Sequence, residues 1–199
     1  MRTATTTAFV FCLLLGTSAS TFAQKPDFSG RWSLNEKLSQ DPFDKIYRAL
    51  GSEERAGASS GASGSVSNAV LLRDTDLRET LKALMNYAEV LEVVEIEQDA
   101  SELTVAVGDD DRFFSLFYLD GEKHAREMQA GLRIEATAAW EGESIHIVQV
   151  GANKAVLTEI YSLVGDGNQM AFLFILESKL SETPIQFRVV YDRVEPGDD

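Results

Sequence analysis

The stretch PDFSGRWSLNEKLSQDPFDKIYRALG, residues 26–51, decides the fold because it joins a strand pattern to a capped helix. FSGRWSLN (28–35) has the composition and turn-bounded length of a β-strand. Asp41 is a suitable helix N-cap, Pro42 suits the first helical position and Gly51 is a fitting stop. Between these ends, one helical face collects Phe43, Ile46, Tyr47 and Leu50. The stretch therefore predicts a strand followed by a short amphipathic helix.

A second amphipathic helix is predicted in DTDLRETLKALMNYAEVL (74–91). Its apolar residues recur at helical spacing and are Leu77, Leu81, Leu84, Met85 and Ala88. Between the two helices, GSEERAGASSGASGSVSNA (51–69) has little to bury, and its Gly, Ser and Ala content predicts a flexible linker. Residues 36–89 are thus predicted to be a helical insert.

From Val90 to Arg193 the pattern is strand and turn throughout. Turn signals fall near 99–101, 108–111, 120–121, 129–131, 141–142, 151–153, 165–168 and 180–184. They divide this zone into nine strands, and the N-terminal strand makes ten. Short, even spacing favours an antiparallel meander, and closure avoids two exposed sheet edges. The expected fold class is mainly β, an antiparallel up-and-down β-barrel of about ten strands with two short helices inserted between strands 1 and 2.

Two kinds of strand are predicted in this zone. LRIEATAAW (132–140) and IQFRVVYDR (185–193) alternate between apolar and polar residues, as half-buried strands do. RFFSLFYL (112–119) and MAFLFIL (170–176) are apolar on both faces. One face of these strands can fill the barrel, so the other must be covered by the inserted helices or by self-association into a homo-oligomer.

Residues 1–23 have the features of a secretory signal peptide. Arg2 precedes the apolar run AFVFCLLLG (8–16), and SASTFAQ (18–24) offers small residues for cleavage after Ala23. We therefore expect a periplasmic or secreted protein whose mature chain, 24–199, is a single domain without cysteine. The formal net charge of −14 disfavours nucleic acid as a partner, and we expect no membrane span.

Gly30-Arg31-Trp32 resembles the Gly-x-Trp signature that opens lipocalins and related calycin barrels, in which the Trp closes one end of the barrel. A strand, two short helices and nine further strands is also the layout of intracellular fatty-acid-binding proteins, where the helix pair forms a lid. The cadence from DFSG to the closing YDRV further resembles a group of exported bacterial proteins described as lipocalin-like. This resemblance covers about residues 27–194. It implies a lipocalin-like barrel that binds a small ligand.

One functional motif of the fatty-acid-binding proteins is not matched. That family uses an Arg-x-Tyr in the last strand to hold a carboxylate inside the barrel. Arg188 and Tyr191 are one residue too far apart, and period-two alternation places them on opposite faces. Tyr191-Asp192-Arg193 has the correct parity in reversed order. The sequence therefore does not predict the family's carboxylate clamp.

Motifs for catalysis or metal binding are weak in this chain. GASSG (57–61) matches Gly-x-Ser-x-Gly, but it lies in the linker with no strand before it. His124 and His146 lack metal-ligand spacing, and the acidic turns GDDD (108–111) and GDGN (165–168) lack the spacing of a calcium loop. We therefore predict no enzyme, no metal and no cofactor.

The candidate residues for a ligand cavity are largely aromatic. They are Trp32, Phe113, Phe117, Trp140, Phe172, Phe174, Phe187, Tyr191 and Arg193. The same residues could instead fill the barrel as its core, although ten strands enclose more volume than eight.

Three functional hypotheses follow from this pattern. One is an exported, non-enzymatic barrel that binds a small apolar or amphipathic ligand, with helices 42–50 and 74–89 as a mobile cover. The alternative is an envelope protein-protein interaction or structural barrel with a filled core and no ligand. The third, an outer-membrane barrel, is disfavoured by the short turns and the acidic end EPGDD.

Overall fold

Ten β-strands and two α-helices form the part of the chain that the computed structural model describes, residues 25–50, 75–108, 113–127, 133–151 and 154–195. In chain order they are β1 (Gly30–Leu34), α1 (Pro42–Ala49), α2 (Thr75–Glu89), β2 (Val93–Gln98), β3 (Glu102–Val107), β4 (Phe113–Tyr118), β5 (Lys123–Glu127), β6 (Arg133–Glu141), β7 (Ser144–Gly151), β8 (Val156–Val164), β9 (Gln169–Glu177) and β10 (Ile185–Arg193). The predicted signal peptide, linker and GASSG motif lie outside the described residues.

The strands form one antiparallel sheet in the order β4-β3-β2-β1-β10-β9-β8-β7-β6-β5. β1 joins the two arms of the meander, because it pairs with β2 on one side and with β10 on the other. β4 and β5 are the two edges of the sheet, and β4 approaches β6 instead of pairing with β5. The barrel is therefore nearly closed, and the predicted fold class, ten antiparallel strands with two helices between strands 1 and 2, is confirmed.

Helix α1 begins and ends where the sequence predicts. The side chain of Asp41 accepts hydrogen bonds from the backbone amides of Phe43 and Asp44, which is N-capping. Ile46 is buried on the face that packs against β10. Tyr47 is 44% exposed, so the predicted apolar face of α1 is covered only in part.

Helix α2 presents its apolar side to the barrel. Leu84 and Ala88 are buried, and Leu81 and Met85 pack against the same core, as their spacing predicts. The side chain of Leu77 lies outside the described residues. Neither described helix has the length and apolar character needed to cross a membrane.

The inward faces of the strands build the core. β10 alternates as expected, with Phe187 and Tyr191 buried, and β9, predicted to be apolar on both faces, buries Phe172 and Phe174 on its inner face. Arg188 is exposed while Tyr191 is buried, so their predicted separation onto opposite faces is confirmed.

The outer face of β4 is not covered by the inserted helices. Phe117 is buried on the inner face, but Phe114 is 62% exposed and Tyr118 is 40% exposed on the other. Of the two covers predicted for this face of β4, the inserted helices are therefore excluded, since α1 packs against β10, and self-association stays a prediction.

Candidate functional site

One end of the barrel is closed by Trp32. Its side chain is fully buried, and its indole Nε1 donates to the carbonyl of Phe28 over 2.9 Å. The Arg193 guanidinium lies 4.2 Å from the Trp32 ring centroid, and strand pairing places the two residues opposite each other. The closed end is therefore formed by the first and last strands together.

Arg193 donates two hydrogen bonds to the backbone at this closed end. Its Nη1 donates to the carbonyl of Ser29, and its Nη2 donates to the carbonyl of Asp27 over 3.0 Å. Gly30 has φ +130, and a Cβ there would lie 3.0 Å from the same Nη1. The glycine of the Gly-x-Trp motif thus leaves room for the guanidinium.

All nine predicted cavity residues occupy inner-face positions of their strands. Three of them, Trp32, Trp140 and Arg193, surround the closed end, where Trp140 lies 5.9 Å from the ring of Phe28. The others face the interior and are Phe113, Phe117, Phe172, Phe174, Phe187 and Tyr191.

The interior aromatic rings contact one another directly. Phe174 and Phe187 stack with centroids 4.6 Å apart and planes 8° apart. Tyr87, from α2, extends inward and lies 5.5 Å from Phe113 and 5.8 Å from Phe174 between ring centroids. A helix side chain therefore occupies space between strands of the barrel.

A cavity of about 40 Å³ lies where β4 faces β5 and β6. Its lining includes Phe117, His124, Arg126, Ala136 and Ala138. This space suits one or two water molecules, whereas drug-sized ligands occupy pockets of roughly 300–1,000 Å³. A larger ligand would therefore have to displace side chains that now fill the interior.

A polar cluster is buried in this apolar interior, and it is centred on Glu159 of β8. Glu159 is 4% exposed. Its Oε1 accepts from the Tyr87 hydroxyl over 3.0 Å, and its Oε2 accepts from Gln149 Nε2 over 2.7 Å. Arg126 Nη1 in turn donates to Gln149 Oε1 over 3.4 Å. Helix α2 and strands β5, β7 and β8 each supply one member.

Burial decides the acidity of this carboxyl. Removal from water raises the pKa of Glu159, although the hydrogen bonds from Tyr87 and Gln149 and the charge of Arg126 oppose the rise. The Arg126 pKa is itself lowered by burial, and the Glu159 charge opposes that change. The carboxyl is thus a partly compensated acid in an environment of low polarity.

Two further tyrosines complete what we call the interior polar cluster: Tyr87, Arg126, Gln149, Glu159, Tyr161 and Tyr191. Burial, followed by the nearby charge of Glu159, raises the pKa of both Tyr161 and Tyr191. Within the described residues the Tyr191 hydroxyl has no hydrogen-bond partner. Leaving such a group unsatisfied costs about 1–3 kcal/mol, so its position calls for an explanation.

Sequence analysis missed most of this cluster. VLTEIYSLV (156–164) carries a signal, because alternation puts Glu159 on the same face as Leu157, Tyr161 and Leu163. A glutamate on the same face of a strand as several apolar residues indicates a buried acid. Tyr87 gives no comparable signal, since its partner is 72 residues away in the chain.

Each histidine lies beside an acidic side chain. His124 Nε2 lies 3.0 Å from Asp120 at the β4–β5 turn, and His146 Nδ1 lies 3.3 Å from Glu141 on the neighbouring strand. Across the described ranges, no group of three His, Cys, Asp or Glu side chains could hold a metal ion.

These features define a nearly closed, ten-stranded antiparallel barrel with a helix pair between β1 and β2. Trp32 and Arg193 lie together at one end of it. No protein-family model matches the sequence, and no curated protein matches it.

Solved structures share the fold at low sequence identity. Lipid binding protein 8 of Caenorhabditis elegans, in its apo form, aligns with a TM-score of 0.52 and 12% identity over 84% of this chain and 95% of that one. Human cRBP IV aligns with a TM-score of 0.50 and 17% identity over 84% and 98% of the two chains. Secretory abundant heat soluble protein 4 of Ramazzottius varieornatus aligns with a TM-score of 0.51 and 9% identity over 88% of this chain and 100% of that one. What is shared at these identities is the fold.

Proposed function

We propose that this protein is an exported, non-enzymatic barrel that binds a small amphipathic ligand in its interior. The observation that carries the proposal is the interior polar cluster, above all the buried Glu159 carboxyl and the unpaired Tyr191 hydroxyl. A barrel core selected for stability alone gains nothing from such groups, because burying them costs free energy unless a partner is present. A few converging polar groups in an apolar interior are typical of ligand sites.

The name of one structural neighbour, lipid binding protein 8, describes a lipid ligand. That likeness supports a ligand for this chain as well. The departure from an Arg-x-Tyr clamp at Arg188 and Tyr191 argues that the ligand differs from a fatty acid held by its carboxylate.

Helix α2 is the cover in this proposal. Tyr87 fills the interior beside Phe113 and Phe174, so a ligand gains its volume when this side chain withdraws. Glu159 and Gln149 lie on β8 and β7, which are held together by ladder hydrogen bonds. Helix α2 is held on the barrel by side-chain packing, so it is the element that moves more easily.

The non-enzymatic part of the proposal rests on the chemistry of the cluster. Both Glu159 oxygens already accept hydrogen bonds. The pKa of Tyr87, Tyr161 and Tyr191 is raised, so their hydroxyls are held as weak nucleophiles.

Native mass spectrometry tests the proposal. The full chain is expressed in a bacterial host, and we expect export, cleavage after Ala23 and an adduct of a few hundred daltons on the mature protein. The matched control is the same protein unfolded in urea, extracted with solvent and refolded, to which the extracted material is added back. An apo monomer that takes up no extracted lipid contradicts ligand binding, and an uncleaved cytoplasmic product contradicts export.

A second candidate function is favoured by a different observation. The cavity of about 40 Å³ is small, and Phe114 and Tyr118 are exposed beside the unpaired edge of β4. A filled barrel that binds another protein through this edge would have these features. A stable dimer without adduct in the same spectrum would favour it.

A further inference from the structure

We propose that the interior polar cluster selects ligands with a hydrogen-bond-donating head group, an alcohol or a protonated amine, and rejects fatty carboxylates. The head group takes the place of the Tyr87 hydroxyl on Glu159. This inference rests on the proposed ligand-binding function and adds to it the chemical class of the ligand.

The acceptor character of Glu159 is the first step. In its ionised form Glu159 offers about four lone-pair positions and no donor, and among the described residues it receives hydrogen bonds from Tyr87 and Gln149. A ligand hydroxyl or ammonium adds a donor to this group. A ligand carboxylate adds a second anion at a site of low polarity, where repulsion between like charges is strong.

Tyr87 shows which chemistry the site accepts. Its phenol is a hydroxyl attached to an apolar body, and it donates to Glu159 while its ring contacts Phe113 and Phe174. An amphipathic alcohol has the same two parts. Of the cluster members Tyr87 alone lies on a helix, so it is the member that can leave without breaking the sheet.

Tyr191 supplies the second contact. Its hydroxyl is fully buried and, within the described residues, unpaired. A hydroxyl can donate or accept. It is therefore a second interior group that can donate to the oxygen of a bound alcohol or accept from an ammonium.

Arg126 is the one cation in the cluster and must be weighed against this inference. Its guanidinium lies 4.3 Å over the Phe117 ring and donates to Gln149, beside the cavity at β4 and β5. The Gln149 amide thus connects it to Glu159, whose charge it partly compensates. A fatty carboxylate that bound Arg126 instead would reverse the expected selectivity.

The test compares dodecanol, dodecylamine and dodecanoate by displacement of a fluorescent apolar probe from the delipidated mature protein. Equal chain length makes their apolar burial comparable. We expect dodecanol to bind at least about tenfold more tightly than dodecanoate. Dodecanol is the decisive arm, because the acidic surface attracts any ammonium.

Three variants localise the effect. Glu159→Gln should reduce the preference for dodecanol at least about fivefold, whereas Glu177→Gln, which removes the same charge from an exposed position on β9, should leave it unchanged. Tyr87→Phe removes the competing donor and should tighten dodecanol binding about two- to tenfold, the factor that one net hydrogen bond is worth.

The outcomes separate this inference from the function on which it rests. If dodecanol, dodecylamine and dodecanoate all fail to bind to wild type and to Tyr87→Phe, the proposed ligand-binding function fails. If the probes bind but dodecanoate equals or exceeds dodecanol, or Glu159→Gln keeps the wild-type preference, ligand binding stands and the head-group selectivity is refuted. Weaker dodecanol binding by Tyr87→Phe refutes displacement of Tyr87.

Discussion

The buried carboxyl of Glu159 predicts an unusual dependence of stability on pH. Because burial raises the pKa of Glu159 from its ordinary value of 4.5, folding favours its protonated form. Its favourable contribution is fully present below the pKa of the unfolded state and is lost as pH rises through the pKa of the folded state. Relative to Glu159→Gln, the wild-type protein should therefore lose stability as pH rises above about 4.5.

The magnitude follows from linkage. Between the unfolded and folded pKa values, the difference in unfolding free energy between the two proteins changes by about 1.4 kcal/mol for each pH unit. Above the folded pKa the difference becomes constant. The total change therefore measures the pKa shift directly.

The groups near Glu159 do not titrate in the pH range in which the Glu159 effect on stability is expected. The pKa of each of the three facing tyrosines, Tyr87, Tyr161 and Tyr191, is raised, so they remain neutral near pH 7. Arg126 remains charged in the same range. The pKa of surface carboxyls such as Asp99, lowered by backbone hydrogen bonds, affects stability only at lower pH. Titrating groups outside the interior polar cluster are common to both proteins and cancel in the difference.

Urea denaturation of wild type, Glu159→Gln and Glu177→Gln from about pH 5 to about pH 8.5 provides the measurement. The lower limit stays above the isoelectric point near 4.5, where solubility falls. The exposed Glu177→Gln control should track wild type across the range. A wild-type minus Glu159→Gln difference that is flat, or that increases with pH, would refute the assignment of Glu159 as a carboxyl destabilised by burial.

Three other substitutions test the fold and the exposed edge. Gly30→Ala places a Cβ at φ +130 against Arg193 and should cost about 1–3 kcal/mol in urea denaturation, more than Gly142→Ala, whose added Cβ meets open space. Equal losses would contradict the close approach of the guanidinium. Asp41→Ala removes the N-cap of α1 and should cost about 0.5–2 kcal/mol, with Asp41→Asn restoring most of it. Phe114→Ser should change stability by less than about 0.5 kcal/mol, and if β4 is an association surface, it should shift sedimentation towards monomer. A dimer that survives this change would place the interface elsewhere.

Local signals account for the success of the fold prediction. All eight predicted turns separate observed strands, because turn residues act through their own backbone preferences. Gly121 and Gly167, the second residues of the two Asp-Gly turns, have φ +76 and +89, which glycine adopts readily. Such information is contained in a few consecutive residues, so it can be obtained without knowing the tertiary contacts.

The interior polar cluster depends on information of another kind. Alternation reveals that Glu159 faces inward, but Gln149 and Arg126 reach it through the register of separate strands. Tyr87 reaches it from a helix whose position over the barrel no local pattern determines. The exposure of Tyr47 and Phe114 has the same origin, since an apolar residue is covered only where another element lies over it.

Arg193 at the closed end and the interior polar cluster differ in how many of their hydrogen-bonding atoms have partners. This difference distinguishes a group that closes the barrel from groups that are suited to bind a ligand. At the closed end Arg193 donates hydrogen bonds to two backbone carbonyls, and its guanidinium lies over the Trp32 ring, so its contacts are made with the fold itself. In the interior polar cluster the acid relies on a donor from a helix side chain, and within the described residues the Tyr191 hydroxyl is unpaired. A residue that closes the barrel needs no further hydrogen-bond partner. A ligand site that replaces one donor by another needs polar groups on the strands whose hydrogen bonds are not all made to other strands. The unpaired Tyr191 hydroxyl, together with the reliance of Glu159 on a donor from a helix side chain, therefore favours a ligand barrel over a filled one.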